Sequence, residues 1–389
     1  MKNETHPLHR VGWKKSGLLP THTTADTCNS MARRRWKGKT RRQNRSPHKL
    51  CQPREVLHAA VMEAFLHRKV AASICNSCAL LSAITSLPGK RSMTKTTRRL
   101  AIAQWDVFSS RPLEGNSLAV FSDGRGLTDA EMQSIAMEMN LSETTFILPR
   151  DAATEREQGV RVRIFTVQEE LPFAGHPTLG TAFALRGQSG AQQITLELNV
   201  GKVPVHFEDN AGEPAFGEMT QIDPTFGIQH DREAVAGVTG LRVQDFDDAL
   251  PIETVSTGIP FTVTPLKSLA VIQALQIDFH GAAQYLEKTG GKFFYFVTRE
   301  TVDRGARLHA RMFFYNGEDP ATGSAAGCSA AWMVAHGVAK PDERVLIEQG
   351  VEMNRPSRIF VRASQHDNRV VNVRVGGQSV EIMRGEVFL

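Results

Sequence analysis

Twice in this chain a strand-like run leads through proline, threonine, glycine and other small residues into an apolar helix. The first passage is FAGHPTLGTAFAL (Phe173–Leu185) and the second is NGEDPATGSAAGCSAAWMVAHG (Asn316–Gly337). Pro177 suits the first turn of one helix, and Thr322, Gly323 and Ser324 suit the start of the other. Small residues let a ligand approach the free backbone N–H groups at a helix start, and those groups attract anions. Each passage carries polar side chains at its lip: His176 in the first, Asp319 and Ser324 in the second. The repetition points to two similar halves facing one cleft, a construction that would grip a small carboxylate.

The patterning around these passages is rich in strands. LAIAQWDVF alternates as a strand should, Pro112 and Gly115 turn the chain, and SLAVFSD continues it. In LTDAEMQSIAMEMN, Thr128 and Glu131 form a capping box ahead of a helical face of Met132, Ile135, Ala136 and Met139, and Asn140 is a suitable stop. SETTFILP and VRVRIFTV read as strands and QITLELNVGKVPVHFE as a hairpin. A second series follows, with VSTGIPFTVTPL, KFFYFVTRE and RLHARMFF as strands, LAVIQALQ and AAQYLEKTG as helices, and SRIFVRAS, VVNVRV and EVFL at the end. Many strands per helix, in two successive runs, predict an α+β fold in two layers and argue against a doubly wound sheet.

Charge divides the 389 residues unevenly. Up to Ser92 there are 18 Lys and Arg against 4 Asp and Glu, whereas the remainder holds 28 against 37, so the formal net charge of +5 joins a basic piece to an acidic one. Residues 1–92 therefore read as a basic leader or an over-extended start, with a targeting segment as the rival reading. The uncharged run Val70–Leu87 is at the lower edge of a membrane span and is diluted by Asn76, serines and Thr85. The acidic body disfavours nucleic acid and membrane as partners. Cys75 and Cys78 form a lone CxxC, a weak metal signal. Only Cys328 of the five cysteines falls in the presumed fold, which suits a reducing, cytoplasmic setting.

Four side chains are candidates for chemistry. Glu143 stands in LSETTFIL, where apolar and hydroxyl neighbours can desolvate it and raise its pKa toward neutrality, as a group that accepts and returns a proton requires. His176 can hold or relay a proton. Asp319 and Ser324 each have a plainer reading, as a charge favourable to a helix dipole and as a cap. A nucleophile elbow, a P-loop, a dinucleotide fingerprint and a zinc-protease motif are all missing. What remains is proton transfer by a carboxyl group without a cofactor or metal.

EGNSLAVF, MNLSETTFILP, RIFTVQEELPFAGHPTLGTA, STGIPF, EDPATGSAAG and EQGVEMNRPSRIFVRA occur in the order seen in the PhzF-like family of phenazine biosynthesis. The resemblance covers roughly Leu100 to Leu389. It implies a diaminopimelate epimerase-like fold: two pseudo-symmetric lobes, each a curled sheet around a central helix, with the active site between them. One lobe would span about 98–220 and recover the final strand, about 379–389, and the other would span 221–378. It also implies a biosynthetic, cofactor-independent isomerase acting on a small carboxylate-bearing ring of the dihydro-hydroxyanthranilate type, and a homodimer. By motif position the proton-shuttling glutamate is Glu143, assisted by His176 and Asp319, with Gly175, Gly323 and Ser324 beside the substrate. Racemisation by two cysteines is disfavoured, because neither lip carries one. A family member that binds a metabolite without isomerising it is the alternative. Ser117 and Val167 replace common prolines, and RMFFYNGEDP is shorter than the family pattern.

Overall fold

Alternating apolar residues in the segments from Arg99 onward form strands whose inner faces close over two buried helices. The computed structural model describes residues 97–389 apart from 188, 210, 211, 213, 315 and 316; the expected leader, residues 1–92, lies outside the described residues. The strands of the first half are β1 (Arg99–Val107), β2 (Asn116–Phe121), β3 (Glu143–Leu148), β4 (Val160–Phe165), β5 (Glu170–Leu171), β6 (Gln193–Leu198), β7 (Gly201–Glu208) and β8 (Phe216–Thr220). Those of the second are β9 (Thr225–His230), β10 (Ile252–Ser256), β11 (Pro260–Leu266), β12 (Phe293–Thr298), β13 (Ala306–Phe314), β14 (Gly317–Asp319), β15 (Val345–Gln349), β16 (Ser357–His366) and β17 (Arg369–Gly377), followed by β18 (Ser379–Phe388). The helices are α1 (Asp129–Met139), α2 (Ala152–Gln158), α3 (Gly175–Arg186), α4 (Arg232–Thr239), α5 (Leu269–Gln273), α6 (Phe279–Thr289) and α7 (Gly323–Ala335).

The pairing repeats. In the first half β2 and β3 are parallel, β3 and β4 antiparallel, β5 is a short flap on β4, and β4 and β6 are parallel. In the second, β11 and β12, β12 and β13, β14 on β13, and β13 and β15 repeat those four relations. The second half opens with β9 paired to β10, and the first half takes its matching strand from after the second: β18 follows β17 but pairs with β1, from Arg99 opposite Phe388 to Val107 opposite Ser379. An antiparallel β8–β17 ladder joins the two halves. The fold is α+β and epimerase-like, with two pseudo-symmetric lobes.

Each lobe encloses one helix. Trp332 of α7 is fully buried and donates its indole N–H to the Pro251 carbonyl, and Leu179, Ala182 and Phe183 of α3 join the same apolar core. A helix buried on all sides needs no polar stripe, which explains why neither shows one. Smaller helices cover the outside. Thr128 and Glu131 make the expected capping box on α1, and Asn140 ends it in the left-handed conformation. Among the described residues no helix is long and apolar enough to cross a membrane.

Some local readings differ. VSTGIPFTVTPL is a hairpin of β10 and β11, not one strand, because Gly258 takes φ +132 and reverses the chain. LAVIQALQ stays helical only over Leu269–Gln273. The pattern also missed α2, which buries no residue and is held by the Asp151 carboxylate capping Ala153 and Thr154. Helices set by a cap rather than by an apolar face leave little periodicity to read.

Candidate active site

The lip of α3 in one lobe meets the lip of α7 in the other. Gly175 and Gly323 make this contact: a Cβ on Gly175 would lie 2.4 Å from the Gly323 carbonyl carbon and 2.5 Å from the Ser324 nitrogen. Neither helix has a side-chain cap at its start, although both starts are buried. Ser324, read as a possible cap, is the second residue of α7 and does not cap it.

Glu143 begins β3, beside Leu118 of β2. It is 8% exposed, and its Oε2 has no hydrogen-bond donor but lies 3.4 Å from His176 Nδ1. Asp319 ends β14 opposite Met312 of β13, so the short segment before it still delivers the carboxylate to the cleft. Its Oδ1 accepts hydrogen bonds from Asn116 Nδ2 at 2.8 Å and Ser142 Oγ at 2.9 Å, and its Oδ2 accepts one from Thr322 Oγ1 at 2.6 Å. The Asn116 amide also donates to the Ala321 carbonyl and sits 3.1 Å from His176 Nδ1. One amide therefore ties together the histidine, the aspartate and the start of α7.

Electrostatics separates the two carboxyls. Burial, and then the charge of Asp319, push Glu143 well above its ordinary value. Burial also raises Asp319, to about 6, but its three hydrogen bonds from Thr322, Ser142 and Asn116 oppose the rise. Two carboxylates in one dry cleft resist double ionisation, so the hydrogen-bonded Asp319 keeps the charge and Glu143 keeps the proton. Burial drives His176 down to about 3 against a weaker opposing pull from the Ser117 backbone. The close Glu143–His176 approach is consequently a contact of neutral groups rather than an ion pair.

A narrow cleft opens here. Glu143, Asp319, Thr322 and Ser324 supply its polar edge, and Phe261, Phe293 and other apolar residues its walls. His176 does not line the cleft and meets it through Glu143. Gly175 and Gly323 pack on each other beside it. Asn116, Ser142 and Gln349 are not singled out by the sequence, although each falls within a quoted motif, and Thr322 is read there only as part of a helix start. Gln349 is fully buried; its amide donates to the Asp319 carbonyl and to Thr322 Oγ1, and its oxygen accepts from Thr322 N and Tyr295 Oη. The cleft can thus hold one mobile proton on a dry acid, Glu143, beside a carboxylate, Asp319, held by fixed donors.

The profile of phenazine biosynthesis-like proteins matches residues 105–385. The chain belongs to that family. It is 36% identical to the trans-2,3-dihydro-3-hydroxyanthranilate isomerase of Pseudomonas chlororaphis over 289 residues, 73% of this chain and 98% of that protein. A PhzF-family phenazine biosynthesis protein of Bacillus anthracis superposes with a TM-score of 0.67 at 27% identity, covering 75% of this chain and 100% of that one. A hydroxyproline epimerase of Agrobacterium vitis shares the fold alone, with a TM-score of 0.52 at 13% identity over 75% of this chain and 93% of that one. This PhzF-like family member is an isomerase.

Proposed function

We propose that this family member moves a proton between carbons of a small carboxylate-bearing ring of the dihydro-hydroxyanthranilate type, in biosynthesis and without a cofactor. Glu143 in its ionised form takes the proton from one carbon, the electron pair passes into the conjugated system of the ring, and the same carboxyl returns the proton at another carbon. No electrons leave the substrate, so the reaction is an isomerisation. His176 and Asp319 position and assist Glu143. The free N–H groups near Gly175, Gly323 and Ser324 hold the substrate carboxylate. Residues about 98–220 with 379–389 form one working lobe and 221–378 the other, and the enzyme acts in the cytoplasm as a homodimer. The family resemblance supports the dimer, and the free, buried Cys328 suits a reducing compartment.

The observation that carries this reading is the dry, undonated Oε2 of Glu143 beside a neutral imidazole. Trans-2,3-dihydro-3-hydroxyanthranilate, the substrate named for the Pseudomonas relative, is the compound to try. In deuterium oxide the isomerised product is expected to carry solvent deuterium at the carbon that receives the proton, and Glu143→Gln to lower turnover on the order of 10²- to 10⁴-fold. Full activity in that variant would end the proposal.

A further inference from the structure

On the outer face of β13, behind the cleft, stands a row of buried charges that the chemistry above does not use. Arg311 is 7% exposed. Its Nε and Nη2 donate to the two carboxylate oxygens of Glu318 at 2.8 and 2.7 Å, and its Nη1 donates to the carbonyls of Ile272, Gln273 and Leu275 at the end of α5. The guanidinium lies 4.7 Å over the Phe313 ring. Farther along the row, Glu352 is 4.0 Å from Arg311 and 3.2 Å from His309, whose other nitrogen is 2.8 Å from Glu348.

The strand that Arg311 holds is the one that presents Asp319. β14 has three residues, paired as Phe314 with Gly317, Phe313 with Glu318 and Met312 with Asp319. Successive side chains of a strand point to opposite faces, so Glu318 turns outward to Arg311 while Asp319 turns into the cleft. A two-pronged guanidinium–carboxylate pair fixes orientation as well as charge, and a three-residue strand has few ladder bonds of its own to do so.

We propose that Arg311 is a positioning residue for the isomerisation: clamping Glu318 from the outer face, it sets both the placement of Asp319 and the charge that the Glu143–Asp319 pair feels. This rests on the function proposed above. The titratable groups around Asp319 are Glu143 from β3, Tyr295 from β12 and His176 from α3, the last reached through Asn116, with Glu318 on the opposite face of its own strand; those around Arg311 are Glu318 and Glu352, with His309 beyond Glu352. Glu318 pushes Asp319 upward, and the guanidinium paired with Glu318 carries the opposite charge, so by Coulomb's law it acts against that push.

The two partners must therefore have opposite effects. Glu318→Gln removes an anion and should lower the titration midpoint of the carboxyl pair, whereas Arg311→Met removes the cation and should raise it, each by about one pH unit for charges roughly 10 Å apart at an effective dielectric of about 20. Carbon-13 NMR of carboxyl-labelled protein reads the midpoints directly, and the acid limb of the rate profile should move in the same directions. A purely structural role would lower the rate in both variants and leave the midpoints alone. Midpoints that stay put, or move in the same direction, overturn the inference. Should Arg311→Met not fold, an unmoved midpoint in Glu318→Gln suffices to overturn it. Opposite NMR shifts in an enzyme that turns over no dihydro-hydroxyanthranilate would uphold the clamp and count against the proposed function.

Discussion

At Glu143 burial has two consequences. It lifts the proton affinity of the carboxyl into a useful range, and it makes the ionised form costly to the fold. The folded pKa lies above the ordinary 4.5, so the native state binds this proton more tightly than the unfolded chain does. The resulting stability is complete below 4.5 and is lost as pH rises through the folded value. Asp319 behaves alike between 3.8 and about 6. His176 has the opposite sign: its contribution is complete above 6.5 and lost as pH falls toward about 3. Glu143→Gln, which cannot ionise, should leave urea stability unchanged near pH 4 and raise it increasingly toward pH 8, while the rate falls on the order of 10²- to 10⁴-fold. Equal stability of both proteins at pH 8 would show that the carboxyl is not desolvated.

At the level of elements, the contact of α3 with α7 sets the width of the cleft. Backbone cannot swing aside as a side chain can, so Gly175→Ala, with its Cβ 2.4 Å from the Gly323 carbonyl carbon, must part the two helix starts. A loss of about 1–3 kcal/mol is expected, together with a reduced rate, because Asn116 spans from β2 to the start of α7. Gly237 in α4 has nothing within 4 Å of its added Cβ, and alanine there should stabilise by up to about 1 kcal/mol. Thermal melts of the two variants give the comparison; equal melting temperatures would contradict this account of the cleft.

Over the whole molecule, the return of β18 makes the first lobe depend on a strand that the chain delivers only after the second lobe. β1 lies between β2 and β18, and the second ladder runs along its full length. Deleting 379–389 would strip β1 of that ladder and leave an unpaired edge, a surface prone to aggregation. Hydrogen exchange should then accelerate across β1 and β2 with the β16–β17 hairpin less affected, and the protein should melt at a lower temperature. An unchanged melt would mean that β18 adds little to the first lobe.

Local order in the residues was enough to read the α+β class, most strands, the capping box on α1 and the repeated helix starts, because alternation, caps and small-residue runs act within a few positions of themselves. Glu143, His176, Asp319 and Ser324 were legible as polar residues in unusual local company. Their meeting in one cleft was implied by the repeated helix starts and the family resemblance, whereas Asn116, Ser142 and Gln349, whose amides and hydroxyls matter only by position, were not legible. Asn116 reaches Asp319 across 203 residues of chain, and no pattern of neighbours records such a distance. Burial likewise belongs to the folded state: the shifts that set proton affinities at Glu143 and Asp319 come from water excluded by both lobes together, which tertiary structure alone supplies.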